Sequence, residues 1–140
     1  MALPAEPTDA DEFDDALAAH LAILVVDDNV EAARSLAKVL EMMGHHVQCA
    51  FDGTTALQLF DDRTLDVVFL DIGLPDLSGY EVAARMRKKI GGDQVMLVAL
   101  TGWGSEQHRR RSSEAGFDYH LAKPADAAVI RRILSRVGVP

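Results

Sequence analysis

The sequence predicts an α/β fold: a doubly wound parallel sheet of five strands with helices on both faces. Three observations carry this. Short apolar runs alternate five times with stretches of helical periodicity from Leu21 onward, the pattern of successive βα units. The first of these runs, Leu21 to Val26, is apolar throughout, as in a strand covered on both sides rather than one. The length of 140 residues suits one compact domain and is too short for two.

The elements follow in order. Leu21-Ala-Ile-Leu-Val-Val26 is the first strand and runs into Asp27-Asp28. A helix from about Val30 to Met43 follows, because Ala33, Leu36, Ala37 and Leu40 fall on one face and Gly44 marks a stop. His46-Val-Gln-Cys-Ala50 is a second, shorter strand. Residues 54–62 form a helix after Asp52-Gly53, and Asp66-Val-Val-Phe-Leu-Asp71 is the third strand. A loop holding Pro75 and Gly79 leads to a helix at about 80–90, with Val82, Met86 and Ile90 on one face and Gly91-Gly92 at its end. Val95-Met-Leu-Val-Ala-Leu100 is the fourth strand, ending at Thr101. A polar helix covers about 105–115. Asp118-Tyr-His-Leu121 is a brief fifth strand before Lys123-Pro124, and a last helix at about 126–137 carries Ile130, Ile133, Leu134 and Val137 at helical spacing.

Residues 1–20 stand apart. They hold six of the 22 acidic residues and none of the 14 Lys and Arg, and they read as a flexible acidic tail or linker before a domain at 21–140. A frayed helix at 11–20 is compatible with their Ala and Leu content. The net charge of -8 and the lack of a basic stripe argue against direct binding of DNA or RNA. Cys49 is the single cysteine, so no internal disulfide is available. No apolar run nears the roughly 20 residues that span a bilayer, and the first residues lack the basic start and apolar stretch of a signal peptide. The expectation is a cytoplasmic protein with no membrane partner.

In open parallel sheets, ligands bind beyond the carboxyl ends of the strands, where strand order switches. The residues there are Asp27 and Asp28 (first strand), Asp71 (third), Thr101 (fourth) and Lys123 (just past the fifth). Three carboxylates, a hydroxyl and an ammonium would converge on one edge. Carboxylates so close repel one another, and a hard divalent cation relieves that repulsion. A Lys and a Thr beside such a cation suit a transferring phosphoryl group, with a carboxylate as its nucleophile. Each residue also has a plainer reading. Asp27 and Asp28 cap the first helix, Asp71 is a loop carboxylate, Thr101 ends a strand, and Lys123 is a surface lysine. The complementary set at four separate strand ends favours the site.

These residues, with their neighbours, resemble the receiver domains of two-component signalling, the family typified by the chemotaxis regulator. The matching parts are Val25-Val-Asp-Asp-Asn29, Leu70-Asp-Ile-Gly-Leu-Pro75 with Gly79, Leu100-Thr-Gly102 and Leu121-Ala-Lys-Pro124. The resemblance covers about Ala22 to Val137. It implies a flavodoxin-like strand order, 2-1-3-4-5, and a role for each residue. Asp71 would be the phosphoacceptor. Asp28, Asp71 and the Gly73 backbone carbonyl would ligate Mg²⁺ (or Mn²⁺), and Asp27 would act on the metal through water. Lys123 would pair with Asp71 and then with the phosphoryl group, Thr101 would move to bond a phosphoryl oxygen, and the Lys123-Pro124 peptide would be cis. A small Gly102 fits the need for open access to Asp71.

One position departs from the commonest family pattern. The switch aromatic three residues before the lysine is usually Tyr or Phe, and here it is His120, with Tyr119 beside it. His120 is read either as a pH-sensitive switch or as a half-exposed ring that packs like any aromatic. Gly73, two residues after Asp71, and Trp103, two after Thr101, are expected to tune the lifetime of the phosphoryl group.

The implied function is a phosphorelay receiver, a phosphoacceptor rather than an enzyme acting on a separate substrate. It takes its phosphoryl group from a sensor histidine kinase or a histidine phosphotransfer protein. It then engages a downstream protein through the face formed by the fourth helix, fifth strand and fifth helix. The tail and His120 lean towards the receiver of a hybrid sensor histidine kinase over a stand-alone protein. A Mg²⁺-dependent phosphohydrolase with an Asp nucleophile needs a second carboxylate two residues after it, and Gly73 stands there. A pseudo-receiver that is never phosphorylated usually lacks one of the acidic or lysine positions, and all are present.

Overall fold

The structure, a computed structural model, describes residues 20–102 and 114–137. The five strands are β1 (Ala22–Val26), β2 (His46–Ala50), β3 (Val67–Asp71), β4 (Met96–Thr101) and β5 (Tyr119–Ala122). The helices among the described residues are α1 (Val30–Met42), α2 (Gly53–Asp62), α3 (Gly79–Arg87) and α4 (Ala127–Leu134). The strands pair in the order β2-β1-β3-β4-β5, every neighbour parallel. That is the expected doubly wound, flavodoxin-like arrangement. Residues 1–19, and with them nearly all of the acidic segment, lie outside the described residues. So does the predicted polar helix at 105–115, save Glu114 and Ala115, which are helical.

Alternation along the strands builds two cores. Leu24, Val26, Val68, Leu70, Leu97 and Ala99 point to one face, where Ala56 and Phe60 of α2 and Val82, Ala83 and Met86 of α3 cover them. Ile23, Val25, Val67, Phe69, Val98 and Leu100 point to the other, under Ala33 and Leu40 of α1 and Ile130, Ile133 and Leu134 of α4. Both faces of β1, β3 and β4 are therefore covered, which is why their sequences are apolar almost throughout.

Local chemistry sets the helix starts. Asn29, Asp52, Ser78 and Asp126 each accept a backbone N–H of the first turn, as good N-caps do. Ser78 and Glu81 have the spacing of a capping box. Gly44 takes φ +101 after α1, the left-handed conformation that favours glycine there.

Two helix ends are corrected. The last helix, expected at about 126–137, ends at Leu134 with residues 135–137 in a turn. The helix expected to reach residue 90 ends at Arg87, and Ile90, expected on its apolar face, is fully exposed. The cause is Arg87, whose guanidinium donates to the carbonyls of Gly92, Val95 and Gly116 and to the Asp118 carboxylate. The chain turns back tightly to reach it. A Cβ on Gly92 would come within 1.9 Å of the Met86 carbonyl oxygen, so the return needs glycine. Among the described residues, no helix is long and apolar enough to cross a membrane.

Candidate functional site

The strands deliver the predicted set to one edge. Asp27 directly follows β1, Asp71 ends β3, Thr101 ends β4, and Lys123 directly follows β5. Asp27, Asp71 and Thr101 are buried, while Asp28 is exposed. The Lys123 ammonium donates to both carboxylates, at 2.7 Å from Asp27 Oδ2 and 2.9 Å from Asp71 Oδ2. Its backbone N–H bonds the Thr101 carbonyl at 2.9 Å, so the lysine is fixed at both ends. The Lys123-Pro124 peptide is cis, as the resemblance implied.

The remaining carboxylate oxygens are held by the backbone. Asp27 Oδ1 accepts the Asn29 N–H at 3.0 Å, and Asp71 Oδ1 accepts the Gly73 N–H at 2.9 Å. The cap of α1 is Asn29, not Asp27 or Asp28, which removes the plainest reading of that acidic pair. Lys123 is likewise no solvated surface lysine. Gly79 opens α3 directly against Asp71, since a Cβ there would lie 2.5 Å from the Asp71 carbonyl oxygen. Only glycine lets α3 start so close to the strand end.

Electrostatics follow from this crowding. Burial pushes the Asp27 carboxyl above its ordinary value, and neighbouring Asp71 adds to this. Hydrogen bonds from Lys123 and the Asn29 N–H pull it partly back. Burial alone would lower Lys123, but its bonds to Asp27 and Asp71 outweigh that and raise it. One ammonium thus serves two buried carboxylates with a third at the rim. The candidate ligand oxygens of Asp27, Asp28 and Asp71 lie within 4.8 Å of one another. This is an all-oxygen, anionic donor set, the chemistry that fits a hard divalent cation. A Cβ on Gly73 would lie 3.7 Å from Asp71 Oδ1, so a larger side chain at that position would stand beside the carboxylate.

His120 sits on β5 opposite Ala99, two residues before Ala122, which is opposite Thr101. Residues paired in register share a face, so His120 and Thr101 stand on the same side of adjacent strands. His120 is half-buried. Trp103 lies outside the described residues. An open groove of about 1490 Å³ lies at the opposite end of the sheet, lined by Asp66, Met96 and Asp118 among others, and holds none of the converging set. Sequence reasoning passed over Asp76. In the loop after Asp71 it reads as one more turn residue, yet it bonds to the amino terminus of α2.

The response regulator receiver domain family model matches residues 23–135. Sensor histidine kinase RcsC of Salmonella typhimurium is 32% identical over 134 residues, which cover 96% of this chain but 13% of that kinase. The chain thus spans only a small part of that relative's length. Among solved structures, the receiver domain of a sensor histidine kinase from Pseudomonas aeruginosa, with magnesium in its active-site cleft, superposes with a TM-score of 0.78. It is 31% identical, over 85% of this chain and 98% of that one. A receiver domain from Saccharomyces cerevisiae, crystallised with a histidine phosphotransfer protein, gives a TM-score of 0.78 at 25% identity over 86% and 90% of the two chains. Strand order, converging strand ends and matched family together lead to one conclusion: the chain belongs to the response regulator receiver domain family of two-component signalling.

Proposed function

We propose that this receiver accepts a phosphoryl group on the Asp71 carboxylate from a phosphohistidine, in a reaction that requires Mg²⁺ or Mn²⁺. The observation that carries the reading is the Lys123 ammonium held between Asp27 and Asp71 at 2.7 and 2.9 Å, where the strands end. A carboxylate oxygen of Asp71 attacks phosphorus. The P–N bond to the donor imidazole breaks, and that nitrogen leaves with the bonding pair, yielding an acyl phosphate on Asp71. Asp28, Asp71 and the Gly73 carbonyl would hold the cation, with Asp27 acting through water. When bound, the cation offsets the crowded negative charge and that of the transferring group. Lys123 shifts its pairing from the free carboxylate to the phosphoryl oxygens. Phosphotransfer and the later hydrolysis are self-catalysed. The magnesium-bearing neighbour and the acidic cluster support the metal.

The donor is a sensor histidine kinase or a histidine phosphotransfer protein, a class seen with the yeast neighbour. The Thr101 hydroxyl bonds a phosphoryl oxygen, and His120, on the same face, turns into the space left. Those contacts exist only in the phosphorylated state, so they supply the free-energy difference that shifts the population. The responding face includes β5 and α4, and it engages a downstream protein. The polar helix expected at about 105–115 on that face lies almost wholly outside the described residues. The chemical class of the product is testable directly. Protein labelled by radioactive acetyl phosphate with Mg²⁺ should lose its label to neutral hydroxylamine, which cleaves acyl phosphates. Label that survives would place the group on a hydroxyl or a nitrogen and overturn the reading.

A further inference from the structure

The loop after Asp71 is fastened at its far end by a carboxylate with no assigned role. Asp76 Oδ1 accepts the N–H groups of Gly53 and Leu77, both at 2.8 Å. Its Oδ2 accepts the Thr54 N–H at 3.0 Å and the Thr54 hydroxyl at 2.8 Å. Three of these four bonds cross from the β3–α3 loop to the first turn of α2. At its near end the same loop is tied by the Gly73 N–H to Asp71 Oδ1 at 2.9 Å. It closes where the Gly79 N–H bonds the Ile72 carbonyl at 3.0 Å.

We propose that Asp76 is a positioning residue: by clamping the β3–α3 loop onto the amino terminus of α2, it holds the Gly73 carbonyl and the Asp71 carboxylate where a divalent cation needs them. The inference rests on the proposed Mg²⁺-dependent reading of the site and goes beyond it by assigning the support of the loop. Only Leu74 and Pro75 separate Gly73 from the clamp, and proline fixes its own φ, so little freedom remains between the two. A plain helix-capping role is the alternative. It is weakened because α2 already has a cap from its own chain, Asp52, which accepts the Thr55 N–H at 2.7 Å. The junction is also tightly packed. A Cβ on Gly53 would lie 2.8 Å from Val82 Cγ2 and 3.3 Å from Asp76 Oδ1, so loop, α2 and α3 meet where only glycine fits. Supporting groups of this kind orient ligands that they do not themselves join.

The test compares two carboxylates at one helix terminus, only one of which holds the loop. Mg²⁺ is titrated calorimetrically into the full 140-residue chain, and melting temperature is recorded alongside. Asp76→Ala should weaken Mg²⁺ binding about tenfold or more. Asp76→Asn, which keeps one accepting oxygen, should fall between it and the wild type. Asp52→Ala should lower the melting temperature but leave Mg²⁺ affinity within about twofold of the wild type, since that group has no bond to the loop. Equal Mg²⁺ affinity in wild type and both Asp76 variants would overturn this inference alone. Equal weakening by Asp52→Ala and Asp76→Ala would do the same, by making the effect one of helix stability. A wild type that binds no Mg²⁺ would overturn this inference and the metal-dependent reading together.

Discussion

At the scale of single residues, the site is a charge imbalance held in place by backbone bonds. Lys123 is the cation that pairs with Asp27 and Asp71 inside the fold, and removing it leaves two buried carboxylates with no counter-ion among the described residues. For a fully buried pair such a loss amounts to about 3–5 kcal/mol. The Lys123 side chain is 31% exposed, so Lys123→Ala is expected to lose roughly 1–3 kcal/mol in metal-free urea unfolding. Millimolar Mg²⁺ should restore much of that loss, and a deficit unchanged by Mg²⁺ would show that the carboxylates do not share a cation. The convergence of Asp27, Asp71, Thr101 and Lys123 was legible in the sequence, because each stands at the end of an apolar run and topology sends such ends to one edge. Two details were not legible. Asn29 rather than an aspartate caps α1, since three polar residues in a row all suit that role. Asp76 reaches 23 residues back along the chain to Gly53, and local patterning carries no trace of such a bond.

At the scale of elements, periodicity gave the helices and overran the ends of two, α3 and α4. Val82, Met86 and Ile90 share a helical stripe, so the pattern alone extends α3 to residue 90. The five donors of Arg87 compete for carbonyls beyond the helix and win, and Ile90 is left in solvent. Met86, with no exposed surface, should therefore lose about 2–5 kcal/mol on truncation to Ala. Ile90→Ser should change stability by no more than about 0.5 kcal/mol in the same denaturant assay. The amino terminus of α2 makes a prediction in pH. Hydrogen bonds from the Gly53 N–H first, then from Thr54 and the Leu77 N–H, hold the Asp76 carboxyl well below its ordinary 3.8. As pH falls below about 4, the unfolded chain takes up a proton there before the folded one does, so stability drops on acidification. Thermal melts between pH 5 and 2 should show a shallower loss in Asp76→Ala than in the wild type. Equal slopes would mean that the clamp carries no charge-dependent stability.

At the scale of the molecule, the order β2-β1-β3-β4-β5 puts β1 and β3 side by side at the centre of the sheet. Asp27 and Asp71 thereby end on neighbouring strands, with Lys123 arriving from beyond the edge strand β5. The parallel, two-faced sheet was legible from strand composition, because Val, Leu and Ile at consecutive positions serve two opposed cores. The strand order was not legible from composition, since any five βα units can be wound in several orders. It came from the motif resemblance, and the paired registers bear it out. A single carboxylate, that of Asp71, is the proposed acceptor of the phosphoryl group. The most direct measurement is the intact mass of the chain after incubation with acetyl phosphate and Mg²⁺, alongside Asp71→Asn. One added phosphoryl group in the wild type, absent from the variant and absent without Mg²⁺, is the predicted result. The same gain in Asp71→Asn would place the acceptor on another residue and overturn the assignment of Asp71.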